Sequence, residues 1–317
     1  MRPRALLLGP LLVCFVLSAP ELSAKDKTKP TNDKIHTDFS KFVEIPGAEK
    51  AGAEQCQQCH SGPAKSYRHS FHSMQEVDCE QCHGAGSLHV AAGAYSREKI
   101  ISFRDRSAEE ANGVCLSCHA KSEHVQNWFA GAHQAQGIKC TDCHSIHGKV
   151  QGERTAFGSG TQEGAPRAFE SRREVNENCL RCHRKQDAEA SLPYHHPLRE
   201  AKMTCVDCHD PHGGSAGNNL KLGNLNELCF TCHAEYQGPF AYQHPPVNES
   251  CMKCHSAHGS PNQNLLAVSQ PALCLQCHSA HHNGASLPLV DRCTNCHNVI
   301  HGSDTPSATG GSLLMDK

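Results

Sequence analysis

Twenty of the 21 cysteines fall in pairs spaced C-x-x-C, and every pair is followed at once by histidine. The ten motifs are Cys56-Cys59-His60, Cys79-Cys82-His83, Cys115-Cys118-His119, Cys140-Cys143-His144, Cys179-Cys182-His183, Cys205-Cys208-His209, Cys229-Cys232-His233, Cys251-Cys254-His255, Cys274-Cys277-His278 and Cys293-Cys296-His297. C-x-x-C-H is the attachment site of c-type haem. Two cysteines three apart lie on one side of a helical turn, so each can form a thioether to the same porphyrin. The histidine that follows turns beneath the ring as the proximal iron ligand. A disulfide scaffold, a zinc site or a redox dithiol would also use cysteine pairs. None of these requires histidine after the second cysteine. Ten motifs that use every cysteine beyond Cys14 point to ten covalently bound haem c groups.

Ten proximal histidines leave fifteen others. The motifs group into five two-motif units starting at Cys56, Cys115, Cys179, Cys229 and Cys274. After the second motif of each unit comes His89, His147, His212, His258 or His301, usually with glycine next. Between the two motifs come His72, His133, His196, His244 and, in the last unit, His282. These ten are the expected distal ligands. A histidine three residues beyond a proximal one cannot reach over the same ring, so it must serve a neighbouring haem. His36, His69, His124, His195 and His281 are left over, with His281 a rival to His282 and His195 to His196. Weaker rivals are His124 to His133 and His69 to His72. Met74, Met203 and Met252 are alternative thioether ligands, which would raise a potential. Trp128, Phe129 and Tyr194 read as groups that pack on haem.

The elements that must position these residues are short. Motif starts are 23, 36, 25, 39, 26, 24, 22, 23 and 19 residues apart, which leaves little room for long helices. No run alternates as a strand does. The apolar share is 38%, with one Trp, five Tyr and ten Phe, too little for a large close-packed core. The expected fold is a multihaem cytochrome c: short helices and irregular loops around ten haems, with little or no β-sheet. Residues 1–24 read as a signal peptide, with Arg2 and Arg4 before a short apolar stretch and Ala24 at the cleavage site. Cys14 lies in that stretch behind Val13, where a lipid-anchored cysteine would need a small residue. Residues 25–50 form a polar extension, 51–302 the decahaem domain and 303–317 a flexible tail. Both ends are expected to be loosely ordered. The glycine-rich link between Gly148 and Cys179 reads as a surface loop and hinge.

A formal charge of −2 excludes a basic field for nucleic acid. No nucleophile elbow, P-loop, dinucleotide fingerprint or metalloprotease motif occurs. With both axial positions filled, an iron cannot bind substrate and can only pass electrons. The expected function is therefore electron transfer, without catalytic residues. A reductase would need one open iron.

Ten C-x-x-C-H motifs, the run from Cys82-His83 to His89, the His-Pro steps at His196 and His244 and the Cys-His-x-x-His-Gly endings resemble the periplasmic decahaem cytochromes of the MtrA/DmsE family. The resemblance covers about residues 51–302. It implies an elongated bis-His decahaem rod in the periplasm, seated in an outer-membrane β-barrel porin. Its implied partners are that porin, an extracellular multihaem cytochrome and periplasmic or inner-membrane electron carriers. A freely diffusing periplasmic carrier and an extracellular filament are the rival readings.

Overall fold

The computed structural model describes residues 38–93, 96–147, 172–278, 292–295 and 297–305. These belong to one compact unit, Asp38–Lys317. Among them there are short α- and 3-10 helices and loops, and no strand beyond five isolated bridges. The longest helix, Ala108–His119, has twelve residues. No helix among the described residues is long and apolar enough to cross a membrane. The signal segment, the link from Gly148 and the stretch containing His281 and His282 lie outside the described residues, as do His36 and Cys296.

The two motifs of a unit are built differently. The first begins at or near the end of a helix that starts upstream: Ala53–Cys59, Ala108–His119, Arg172–Leu180, Leu225–Phe230 and Ala272–Leu275. The second is a turn that starts on its first cysteine: Cys79–His83, Cys140–Cys143, Cys205–Cys208, Cys251–Lys253 and Cys293–Asn295. Such short turns form because side chains satisfy their unpaired N–H groups. The third motif residue folds back to do this. Asp142 accepts from the Lys139 N–H at 2.8 Å, and Asp207 accepts from the Thr204 N–H at 2.8 Å. Gln81 and Asp78 form the equivalent capping box.

The apolar core is thin. Among the described residues the buried hydrophobic ones are Ile101, Ala111, Val114, Leu116, Trp128, Ala190, Leu198, Leu228 and Leu266. Several large apolar side chains beside the motifs and the expected distal histidines stay exposed, among them Phe71 (64%), Met74 (56%), Val90 and Leu275. Apolar side chains exposed beside the motifs are what a porphyrin would cover.

Residues 38–50 and 303–305, expected to be loosely ordered, are tied to the rest of the unit. In the N-terminal extension, Phe39 stacks on Phe129 at 6.1 Å, and the Phe42 ring lies where a side chain at Gly113 would be. Glu49 and Ser87 exchange two hydrogen bonds. Three apolar residues, Phe39, Phe42 and Ile45, dock an otherwise polar segment. At the other end, Ser303 pairs with Tyr242 through two backbone bonds of 2.9 Å, and Asp304 accepts from the Ala241 N–H. Order therefore extends to 38–50 and to 303–305.

Candidate functional site: paired imidazoles along the chain

Nine proximal histidines each face one expected distal histidine. The ring-centre separations are 6.2 Å for His60–His89, 6.1 Å for His83–His147 and 5.8 Å for His119–His72. They are 5.8 Å for His144–His212, 6.1 Å for His183–His133 and 6.2 Å for His209–His258. The last three are 6.3 Å for His233–His196, 6.1 Å for His255–His301 and 6.1 Å for His278–His244. Rings in contact would lie closer. A metal–imidazole bond is about 2.0 Å, so two such bonds plus two ring radii place ring centres about 6 Å apart. Every pair fits one iron between two imidazoles. The angle between ring planes runs from 13° to 87°, as expected where only the shared axis is constrained. For His297 the sequence assigns His282, outside the described residues.

The pairing follows a rule. The histidine after the second motif of one unit faces the second-motif histidine of the unit before it: His147 to His83, His212 to His144, His258 to His209 and His301 to His255. The histidine between motifs faces the first-motif histidine of the next unit: His72 to His119, His133 to His183, His196 to His233 and His244 to His278. Each junction is thus tied twice, once in each direction. His60 is paired within its own unit, by His89.

The cysteines follow the same order. Within units the first cysteines are neighbours: Cys56 and Cys79, Cys115 and Cys140, Cys179 and Cys205, Cys229 and Cys251, and Cys274 and Cys293. Between units Cys82 lies near Cys115 and Cys118, Cys143 near Cys179 and Cys182, Cys208 near Cys232 and Cys254 near Cys277. Consecutive motifs are therefore neighbours along the described chain.

The imidazoles are prepared for a metal. Burial holds His72, His83, His144, His212, His244, His258 and His301 below the usual histidine range, favouring the neutral ligand form. Nδ1 of several paired rings faces an uncharged oxygen. It lies 2.8 Å from a backbone carbonyl in His83 (Ile101), His209 (Asn218) and His255 (Asn264). The others are His89 to Ser96, His133 to Pro211, His147 to Pro63 and His196 to Ala257. Donation from Nδ1 leaves Nε2 as the coordinating atom and fixes the ring. No cluster of three or more His, Cys, Asp or Glu able to hold an ion occurs among the described residues. Of the rivals, His195 faces Leu192 and Glu200, while His69, Met74 and Met252 make none of these pairs. Trp128 lies edge-on to His212 at 6.5 Å.

Three sets of positioning residues escape a motif-centred reading of the sequence. The first is an asparagine three residues before the first motif of units two, three and four. Buried Asn112, Asn176 and Asn226 each accept from the N–H that opens the second motif, at Cys140 (2.7 Å), Cys205 (2.9 Å) and Cys251 (2.9 Å). Their amide groups donate to carbonyls of the segment between the motifs. The signal N-x-x-C was present. In unit one the motif residue Glu80 plays a similar part, accepting from Ala51, Gly52 and Gly86. The second set is Asn218 and Asn264, whose φ of 59° and 57° turns a carbonyl onto the proximal Nδ1. Asparagine tolerates that conformation better than most residues. The third is the glycine that follows His212, His258 and His301. A Cβ on Gly213, Gly259 or Gly302 would lie 2.3, 1.9 or 2.1 Å from Asn127 O, Glu189 O or the Phe240 ring. The missing side chain lets a preceding unit approach the ligand.

This fold and these motifs define a multihaem c-type cytochrome, an electron-transfer protein. The doubled CXXCH motif family matches residues 195–238 and 244–283, the NrfB-like cytochrome c-type protein family 79–159, and the cytochrome c554 and c-prime family 21–84. The multihaem cytochrome MtrA of Shewanella baltica (strain OS185) is 31% identical over 92% of this chain and 90% of its own length. The chain belongs to the MtrA family of multihaem cytochromes. The dissimilatory sulfite reductase MccA of Wolinella succinogenes is 28% identical over 45% of the chain, and the match spans 23% of that reductase.

Proposed function

We propose that the chain carries ten haems, each bound by one motif and ligated by two histidines, and passes electrons along them in sequence order. The observation that carries this reading is the reciprocal pairing of imidazoles at every unit junction. A histidine given to each neighbour holds consecutive haems close and leaves those irons no open position. When bound, the haems supply reversible one-electron iron chemistry. The protein's own residues fix ligand orientation through the Nδ1 contacts and fix spacing through the asparagine contacts. Electrons would enter and leave at the two ends, near Cys56–Cys59 and Cys293–Cys296. His297 and His282 complete the set as the tenth pair.

The likeness to MtrA-family cytochromes supports a place in a conduit. The chain would be exported to the periplasm and seated in an outer-membrane β-barrel porin. There it would link periplasmic or inner-membrane carriers to an extracellular multihaem cytochrome. The test is purification of haem-stained protein from gently solubilised outer membranes of the native host. Stoichiometric co-elution with a β-barrel protein is the expected result. Recovery alone in the soluble periplasmic fraction would replace the conduit with a diffusing carrier. The partial match to MccA favours one further reading, a reductase with an open iron. Carbon monoxide binding to the fully reduced protein would reveal such an iron, and an unchanged Soret band is expected.

A further inference from the structure

At the junction of units three and four, His258 differs from seven other paired rings, its partner His209 among them. Those rings place Nδ1 against uncharged oxygen atoms. His258 Nδ1 lies 3.2 Å from a carboxylate oxygen of Glu189, which is 69 residues away in sequence. Asp210 and Glu235 stand 3.8 and 3.6 Å from Nδ1 of His212 and His233, outside hydrogen-bond range.

The Glu189 contact is held from several sides. Glu189 ends the helix Arg184–Glu189, and Lys185 lies 3.8 Å from its other carboxylate oxygen. Its carbonyl presses on Gly259 so closely that no side chain fits there. Two residues past His258, buried Ser260 exchanges two backbone bonds with Tyr194, at 2.7 and 3.2 Å. His196 Nδ1 also meets Ala257 O at 2.5 Å. The carboxylate therefore sits where it does because the backbones around it are fixed.

We infer that Glu189 is a positioning residue that sets the potential of the haem between His209 and His258, drawing it below the potentials of its neighbours. The inference rests on the bis-histidine reading above. A carboxylate that accepts the Nδ1 proton makes the imidazole a stronger donor to iron. It also adds a nearby negative charge. Both effects favour the ferric state over the ferrous, which carries one electron more, so reduction becomes harder. The sixth motif would bind this haem, in the middle of the chain, so the site places an energetic step between the two halves of the wire.

The test compares whole holoprotein with Glu189→Gln, in which the side chain keeps its size and a hydrogen-bonding oxygen but loses the charge. Potentiometric titration followed in the Soret region is the readout, with haem content checked by pyridine haemochromogen. The expected result is a positive shift of one component carrying about one-tenth of the amplitude, the rest unmoved. Glu189→Asp, which restores the charge, should return part of that shift. A superimposable titration overturns the inference. So does a shift spread over the whole curve, or the same shift in both variants, because either would mark Glu189 as a packing group. His258→Ala separates the two readings. If it produces no high-spin ferric signal, the ligation reading itself fails.

Discussion

Replacing Asn176 with alanine should loosen one two-haem unit and leave the others alone. The side chain is 2% exposed and makes three hydrogen bonds across that unit. Its amide donates to Leu198 O and Met203 O at 2.8 Å each, and its oxygen accepts from the Cys205 N–H at 2.9 Å. A hydrogen bond contributes about 1 kcal/mol net, and a buried group left without a partner costs more. Three bonds give about 3 kcal/mol, which at tenfold per 1.4 kcal/mol is about a hundredfold in the local opening equilibrium. Hydrogen exchange read by mass spectrometry on the holoprotein measures this directly. Amides of residues 198–208 should exchange about a hundredfold faster. Those of 138–143, held by Asn112, should not change. The exposed neighbour Glu177 serves as control, since its replacement should alter neither. Unchanged protection of 198–208 would refute the argument. Protection lost uniformly along the chain would refute the independence of the units.

Other outcomes follow from the same geometry. His212→Ala should leave the iron at Cys140–Cys143 with one axial ligand, and low-temperature electron paramagnetic resonance should show about one-tenth of the iron as high-spin. The same signal should follow His282→Ala but not His281→Ala, which decides the tenth pair. Burial alone would raise the Glu80 carboxyl, but N–H donors at Ala51, Gly86 and Gly52 hold it below its ordinary 4.5. Its stabilising contribution is therefore complete above pH 4.5 and is lost as pH falls through the lowered value. Hydrogen exchange of residues 49–60 should accelerate in that acid window, and Glu80→Gln should remove the acceleration. Gly213→Ala would push a methyl against the Asn127 carbonyl and should give the His212→Ala spectrum with the ligand still present.

Much of the site was legible because haem attachment is local chemistry. Cys140, Cys143 and His144 lie within one turn, so spacing alone reports their joint role. The distal set was expected from position within each unit, and nine of those histidines stand opposite a proximal ring. His196 stands opposite His233, while His195 turns to Glu200. Asn112, Asn176 and Asn226 were overlooked because an asparagine before a helix-borne motif looks like an ordinary polar residue. Its partner backbone lies 25 to 29 residues downstream. The extension at 38–50 read as loose because three scattered apolar residues make no periodic pattern.

By itself the sequence determined the cofactor chemistry, the number of attachment motifs and a low apolar share. Each follows from residues adjacent in the chain or from composition. Only the tertiary structure decided which imidazole faces which. His147 stands opposite His83, 64 positions earlier, because two units fold against each other, and no local spacing encodes that approach. The same holds for Glu189 beside His258. A contact between segments far apart in sequence is set by the packing of everything between them, so it can be read only once the chain is folded.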